Sequence, residues 1–564
     1  MIFEPFLLSS TAKQDTALFI KRLAQLNRRR NSRPVDTSIL EDVFERLFTY
    51  NDKLTIVVYE FYIDKIYRDC YYHHYSGKHF SQSRYCGRVF LFSGDQIEAL
   101  SQRDAKRLEC AFIGCMVIQP TQNGIIGRSL FDPQYFFPRH SSREEFTYIR
   151  TSIYDVSFYG IHLSINAFPY MMQDSETMSC AEVSISVLVE YYCNQYNEYK
   201  ALLPSDIYNI SLQYGFERVL PTRGMTYNMI TKVLTEIGFY PRLYMTSSHF
   251  PSVQQARILH YYVESAIPVL VEIKTSAKVS HSIVCVGHGQ ADCKRMLSRL
   301  QSVSPADRDP DCYKNDENRP KRFYFADTAN AFSDYIVMDD GNIPYCSYSF
   351  GSELDITNEK KTSIVHSQID ALIVPLYKRM FLEAADAYDI CREIISGESH
   401  FLTNAYYDYC RAHNLTKLPN LGTEANPLII RLFMASSRSF MSYRASRFAP
   451  RSITEEIYMN TPVPKFVWVC ELYDAYHYKK NKVIGEIVLD ATASSSTKTS
   501  SILLLHYPGM ALARHYDGYV INDLVKTPPQ KVAPRYDNDL YFLKVKKWTP
   551  FDSYQANLVA CNRS

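Results

Sequence analysis

The chain has 564 residues, enough for two to four domains, of which 46% are hydrophobic and 22% charged, a balance that excludes wholesale disorder. Its 62 Lys+Arg against 60 Asp+Glu leave a formal charge of +2, so no broad basic surface for nucleic acid is expected. Fourteen cysteines are too sparse for a disulfide scaffold, none sits in a CxxC pair, and no run approaches the ~18–20 apolar residues of a membrane span. The expectation is a soluble cytoplasmic protein with no cofactor, no metal centre and no membrane or nucleic-acid partner.

In chain order, a short amphipathic helix is expected over 16–25, running into the basic stretch 27–31, read as a solvated helix end. Segments 54–59, 89–92 and 112–118 are rich in β-branched and aromatic residues and predict strands. The cluster 71–75, of three tyrosines and two histidines, predicts a packed helix. Gly124-Ile125-Ile126-Gly127 reads as a turn before a strand at 128–130, with no phosphate-binding role. From about 155 to 375 helix and strand alternate. Helical spacing covers 254–264, whereas 267–273 and 282–287 read as buried strands. The polar stretch 290–321 predicts a surface insertion. Beyond 376 a helical stretch gives way to a β-rich tail, where 465–471 and 483–489 are expected to pair as a hairpin, followed by a flexible Ser/Thr tract at 494–501. The expected fold class is α+β, divided into an N-terminal α/β domain (1–150), a middle domain (151–375) and a C-terminal helical and β-rich domain (376–564).

Segment 169–182 carries the chemistry. Ala181, Ile185, Leu188 and Tyr192 recur on one helical face, which puts Cys180 in the first turn of a buried helix. There the helix dipole and free N–H groups favour a thiolate. Gln173, seven positions upstream, is close enough to fold back beside the sulfur. Its amide and the Cys180 N–H together would hold a developing oxyanion. An isolated cysteine starting a helix is ordinarily a small core residue, and the companion glutamine is what makes this one a candidate nucleophile. His281, at the mouth of strand 282–287, is the candidate base, while His288 at the far end points to the opposite rim. The group that orients the imidazole should close the next strand. Asp339 does so at the end of 334–341, with Asp327, after 323–326, as a rival and Asp340 as a third choice.

These residues give the chain a resemblance to papain-like cysteine peptidases, especially the branch akin to bacteriocin-processing (double-glycine) peptidases. It also resembles an uncharacterised bacterial papain-like family with a motif near Pro-Phe-x-Gln-Gln-Asp before Cys-Ala, and Asp-Asp-x-x-Gly-Pro-Tyr after the histidine. Here Pro169-Tyr170-Met171-Met172-Gln173-Asp174, Cys180-Ala181 and Asp339-Asp340-Gly341-Asn342-Ile343-Pro344-Tyr345 stand at those places, with Gly127-Arg128-Ser129 upstream. Met172 replaces the first glutamine and Ile343 the glycine before Pro344. The resemblance covers about 50–350. It implies a papain-like core that hydrolyses a peptide or isopeptide bond of a protein or peptide substrate. Cys180 would be the nucleophile, His281 the base, Asp339 the orienting acid and Gln173 the oxyanion donor. Acyl transfer or deamidation on the same residues, or a catalytically silent interaction module, are the alternatives.

Overall fold

The most apolar runs of the chain form a central sheet. In the computed structural model its strand order is Tyr240–Met245, Ile369–Leu376, Val269–Lys274, Ser280–His288, Asp334–Met338, Cys346–Ser349 and Val365–His366. A short strand, Tyr148–Ile149, pairs against the end of Ser280–His288. Both faces of the sheet are buried. Val284 and Val286 pack with Leu270, Ile336 and Ile373 into one core, while Ile283 and Cys285 pack with Val269, Val271 and Val337 into another. A strand covered on both sides loses its polar alternation, which is why 267–273 and 282–287 read as continuous apolar runs. Helix Cys180–Gln195 covers the first face and helix Ser252–Glu264 the second. The structure describes residues 5–28, 35–79, 82–136, 148–214, 220–247, 251–274, 280–289, 291–304, 322–350, 365–412, 419–445, 452–479, 482–494, 501–507, 510–515, 518–523 and 541–542.

Two further sheets flank this centre. The N-terminal one runs Pro5–Ser9, Lys53–Tyr62, Cys86–Ser93, Phe112–Ile118, Ser129–Phe131 and Pro169–Tyr170, antiparallel throughout. Its inner residues share a core with helices Lys13–Ala24, Ser38–Tyr50 and Cys180–Gln195. The hairpin Ser152–Phe158 with Ile161–Ala167 covers the other face, against Val57, Phe90 and Phe92. The C-terminal sheet starts with Gln301–Val303 and Phe323–Asp327. It continues through Leu428–Ser436, Phe466–Tyr473, Gly485–Asp490, Ile502–Tyr507, Met510–His515 and Gly518–Asp523. It joins the second core together with helix Ala384–Ala412. The architecture is mixed α/β with several sheets, compatible with an α+β class.

Strands are shared across the divisions expected near 150 and 375. Pro169–Tyr170 belongs to the N-terminal sheet, Tyr148–Ile149 to the central one, and Phe323–Asp327 runs parallel to Leu428–Ser436 in the C-terminal one. The polar stretch 290–321 is not simply a surface insertion. It contains helix Cys293–Ser298, with Cys293 and Met296 buried, and the edge strand Gln301–Val303; 305–321 lie outside the described residues. Cys293, Met296, Leu297 and Leu300 recur at helical spacing and pack one side of this otherwise charged segment against the core. The pairing of 465–471 with 483–489 is present, from Val467 opposite Asp490 to Leu472 opposite Gly485. Of the basic stretch, Arg28 donates to the Thr121 carbonyl at 2.6 Å, and 29–34 lie outside the described residues, as do 495–500 of the Ser/Thr tract. Among the described residues no helix is long and apolar enough to cross a membrane.

Candidate active site

Cys180 is the first residue of helix Cys180–Gln195 and is half-buried. Local chemistry starts the helix there. Asp174 Oδ1 accepts the backbone N–H groups of Glu176, Thr177 and Met178 at 2.9, 2.7 and 2.9 Å, and its Oδ2 accepts the Tyr75 hydroxyl at 2.7 Å. One carboxylate therefore curls 174–178 into a tight loop. Ser179 is the N-cap, and Glu182 reaches back to accept its N–H at 3.1 Å while also accepting the Thr222 hydroxyl at 2.8 Å. The first N–H groups of the helix, that of Cys180 among them, have no carbonyl within the helix to bond.

One turn on, Ser184 Oγ donates to the Ser282 carbonyl at 3.1 Å. Ser184 lies four residues past Cys180, on the same helical face, and Ser282 lies one past His281. That bond locks helix to strand at the register that brings thiol and imidazole together. On the neighbouring strand, buried Glu272 accepts the Ser280 hydroxyl at 3.1 Å and the Ser282 hydroxyl at 2.5 Å, bracketing His281.

The ring of His281 interacts with three side chains. Its Nε2–H donates to Asp339 Oδ1 at 2.7 Å, Asp340 Oδ1 lies 3.5 Å from the same nitrogen, and the Cys180 thiol is in interaction range. With Nε2 on the carboxylate, Nδ1 is the nitrogen left for the sulfur. Burial pushes the ring toward its neutral form. The hydrogen bond to Asp339, the contact with Cys180 and the charges of both aspartates outweigh burial and raise the ring to about 11. Burial also pushes the Asp339 carboxyl up, but His281, the Tyr348 hydroxyl at 2.7 Å and the Gly341 N–H at 2.9 Å hold it below the usual range. Asp340 is pushed up to about 7, chiefly by burial and by Asp339 against the pull of His281. The N–H groups of Asp340 and Gln173 approach its carboxyl, yet among the described residues neither oxygen has a properly aligned hydrogen-bond donor.

The rivals lie elsewhere. Asp327 is buried against the Tyr261 hydroxyl and the Ala329 N–H, with Arg257 at 3.8 Å, and it caps a short 3-10 turn. His288 is sealed in the core, with Glu264 Oε1 at 3.2 Å from its Nε2. Gln173 is half-buried on the loop before Cys180, its backbone N–H beside Asp340, and it lines a cavity of about 220 Å³ with Asp340, Gly341, Asn123 and the start of helix Ser38–Tyr50. His281, Asp339 and Asp340 bring three metal-capable atoms within 4.8 Å of one another. The 2.7 Å hydrogen bond already accounts for the closeness of His281 and Asp339.

Several residues that hold the site had no role in it assigned from the sequence. Tyr345 OH donates to the Phe131 carbonyl and accepts the Phe168 N–H, both at 2.8 Å, and Tyr170 OH donates to the Asn342 carbonyl at 2.6 Å. The segments before Cys180 and after Asp339 are thus clasped together, which gives the Pro-Tyr pairs of the two motifs a common purpose. Gly124 has φ +60°, and a Cβ there would fall 2.0 Å from the Gln173 carbonyl oxygen. The lone Gly-x-x-Gly is therefore the bed over which the Gln173 backbone passes. No family model, curated protein or solved structure matches the chain.

Proposed function

We propose that the protein is a cysteine peptidase with a papain-like core, hydrolysing a peptide or isopeptide bond. The observation that carries this reading is a single imidazole set between the thiol of a helix-first cysteine and a buried carboxylate. In this reading Cys180 attacks the carbonyl carbon as a thiolate, forming the C–S bond. The oxyanion that develops is held by the Cys180 N–H and the Gln173 amide. His281, kept protonated by Asp339, gives its Nδ1 proton to the departing amine as the C–N bond breaks, leaving a thioester. The neutral ring then takes a proton from water, hydroxide attacks the thioester, and the acid product and thiolate are released. Asp339 stays ionised throughout and fixes which nitrogen faces the sulfur.

The test pairs labelling with turnover. Iodoacetamide at near-neutral pH should label wild type at Cys180, and a peptide-library digest should show cuts that vanish in Cys180→Ala. Labelling without cuts would move the assignment to acyl transfer or deamidation on the same residues. No labelling would leave an interaction module.

A further inference from the structure

One end of the N-terminal sheet carries an exposed patch that the proposed chemistry does not use. Strand Lys53–Tyr62 shifts register there: Glu60 and Phe61 fall between the pairs Tyr59–Arg88 and Tyr62–Cys86, where the partner strand has only Gly87. A bulge of this kind re-aims side chains, and Phe61 is 63% exposed and Ile63 57%. Asp64 then accepts the Tyr67 N–H at 2.8 Å and caps helix Lys65–His73. Lys65, Arg68 and Tyr72 lie on one face of that helix, and Tyr72 is 58% exposed. Tyr85 joins strand to helix. Phe61 meets its ring edge-on at 6.0 Å, and the guanidinium groups of Arg68 and Arg84 lie 5.5 and 5.4 Å from its centre. Arg68 also lies 6.0 Å from the Tyr72 ring, and its Nε donates to the Arg84 carbonyl at 3.2 Å. These side chains form one continuous surface. Among the described residues neither arginine is ion-paired, and the adjacent Glu60 is drawn to Arg22 at 3.8 Å.

We infer that this patch docks an acidic segment of a partner protein, one in which Asp or Glu is interleaved with apolar side chains. Aromatic residues together with arginine make up the core of protein interfaces. Single exposed apolar residues are ordinary, whereas contiguous ones mark a docking surface. Lys65, Arg68 and Arg84 supply three positive charges, and none of the patch residues is acidic. A guanidinium edge offers a carboxylate paired, charge-assisted hydrogen bonds. A second copy of this chain is the wrong occupant, because a two-fold axis would set these cations against themselves. A nucleic acid fits no better: three cations make no track along a phosphate backbone, and Ile63 has no π-face for a base to stack on. The helix that carries Arg68 and Tyr72 leads into His74, Tyr75 and Lys78, whose side chains hold Glu176 and Asp174 of the loop before Cys180. An occupant would therefore sit on the element that supports the candidate nucleophile. The inference itself does not depend on the peptidase reading.

The experiment incubates the full chain with an array of short synthetic peptides that combine Glu or Lys with Phe, Leu or Ser, and measures the affinity of the best binders by fluorescence anisotropy. Peptides pairing Glu with Phe or Leu should bind, and those with Lys for Glu, or Ser for Phe and Leu, should bind at least tenfold more weakly, the scale of one interface anchor. Phe61 and Arg84 are both exposed, so Phe61→Ser and Arg84→Glu leave the buried residues unchanged, and melting curves verify the fold. Phe61→Ser should weaken the Glu/Phe peptides about tenfold. Arg84→Glu should weaken them similarly and strengthen their Lys counterparts. An array with no Glu-dependent binder, or binding indifferent to both substitutions, would overturn the inference. So would a single-stranded oligonucleotide held more tightly than any peptide, which would make the patch a nucleic-acid face. Cys180 is untouched throughout, so none of these failures bears on the peptidase reading.

Discussion

Strand Ser280–His288 carries a histidine near each end, and the two have opposite fates. The His281 side chain is 18% exposed, hydrogen-bonded to one aspartate, near a second, and held protonated to about 11. The His288 side chain is 0% exposed and stacks near Phe332 and Tyr148, with Glu264 at 3.2 Å. Glu264 accepts Arg431 at 2.8 Å, Arg431 continues to Glu471 at 2.9 Å, and Arg444 links Glu471 to Glu486. Beside His288, burial pushes the His260 ring down to about 3, while Arg431 and the histidines hold Glu264 below its usual range despite burial. The carboxylates at the first end serve a titrating ring that faces a thiol; those at the second end are neutralised by arginines and tie the central sheet to the C-terminal one. Residue type alone does not make a base. Access and the direction of the free nitrogen do.

The sharpest break of this comparison is a pair of alanine substitutions. His281→Ala should reduce turnover per folded molecule by roughly 10⁴-fold, the scale for losing one member of such a triad, and should also cost stability, because buried Asp339 and Asp340 lose the cation they share. His288→Ala should instead preserve turnover per folded molecule while costing about 3 kcal/mol or more of stability through lost packing and a disturbed ion cluster. Measuring both quantities on both variants decides the matter. Intact turnover in His281→Ala would remove the site.

Arg431→Met sharpens the second region alone. It takes from Glu264 and Glu471 the cation they share, and a stability loss of about 3–5 kcal/mol is expected in denaturant titration. Comparable stability would mean that the cluster contributes little to joining the sheets. In the first region, Gln173→Ala should keep the fold and iodoacetamide labelling but lose roughly 10²–10³ in turnover, the range for one oxyanion donor. Unchanged turnover would leave the Cys180 N–H without its side-chain companion.

How far the sequence reaches follows from the same contrast. Local signals mark what local structure decides: the helix start at Cys180 follows from Ser179, Glu182 and the apolar face behind them, and the runs 267–273 and 282–287 announce a sheet buried on both sides. His281 and Asp339 stand out as candidates because both lie at strand ends, and Asp339 stands ahead of Asp327, which also ends a strand, on the Asp-Asp and Pro-Tyr surroundings of the resemblance. What joins them does not stand out, since the Ser184–Ser282 bond, the Tyr345 and Tyr170 clasps and the Gly124 bed under Gln173 each span tens of residues or more with no periodicity to betray them. Segment 290–321 reads as a surface insertion because its Asp, Arg, Lys and Pro content outweighs the short apolar spacing Cys293, Met296, Leu297 and Leu300, which spans barely two turns. The Glu264–Arg431–Glu471 cluster could not be read at all, as charged residues are ordinarily surface residues until a partner is brought to them.

The smallest effect tests the uneven treatment of the two aspartates beside His281. Asp339 has donors from His281, Tyr348 and Gly341, whereas Asp340 has none of good geometry. Its carboxyl is raised from the usual value to about 7, so the folded chain holds that proton more tightly than the unfolded chain does. The stability linked to the proton is fully present below about pH 4 and is lost as pH rises through about 7. Above that, the folded protein carries a charged, poorly partnered carboxylate, a state that costs about 1–3 kcal/mol. Asn carries no charge at any pH. Asp340→Asn should therefore match wild type in melting temperature near pH 4 and exceed it above pH 7, with the gap opening between. A variant that is instead less stable at pH 8 would mean that the His281 charge already satisfies Asp340, and the two aspartates would then be a shared counter-ion to one ring.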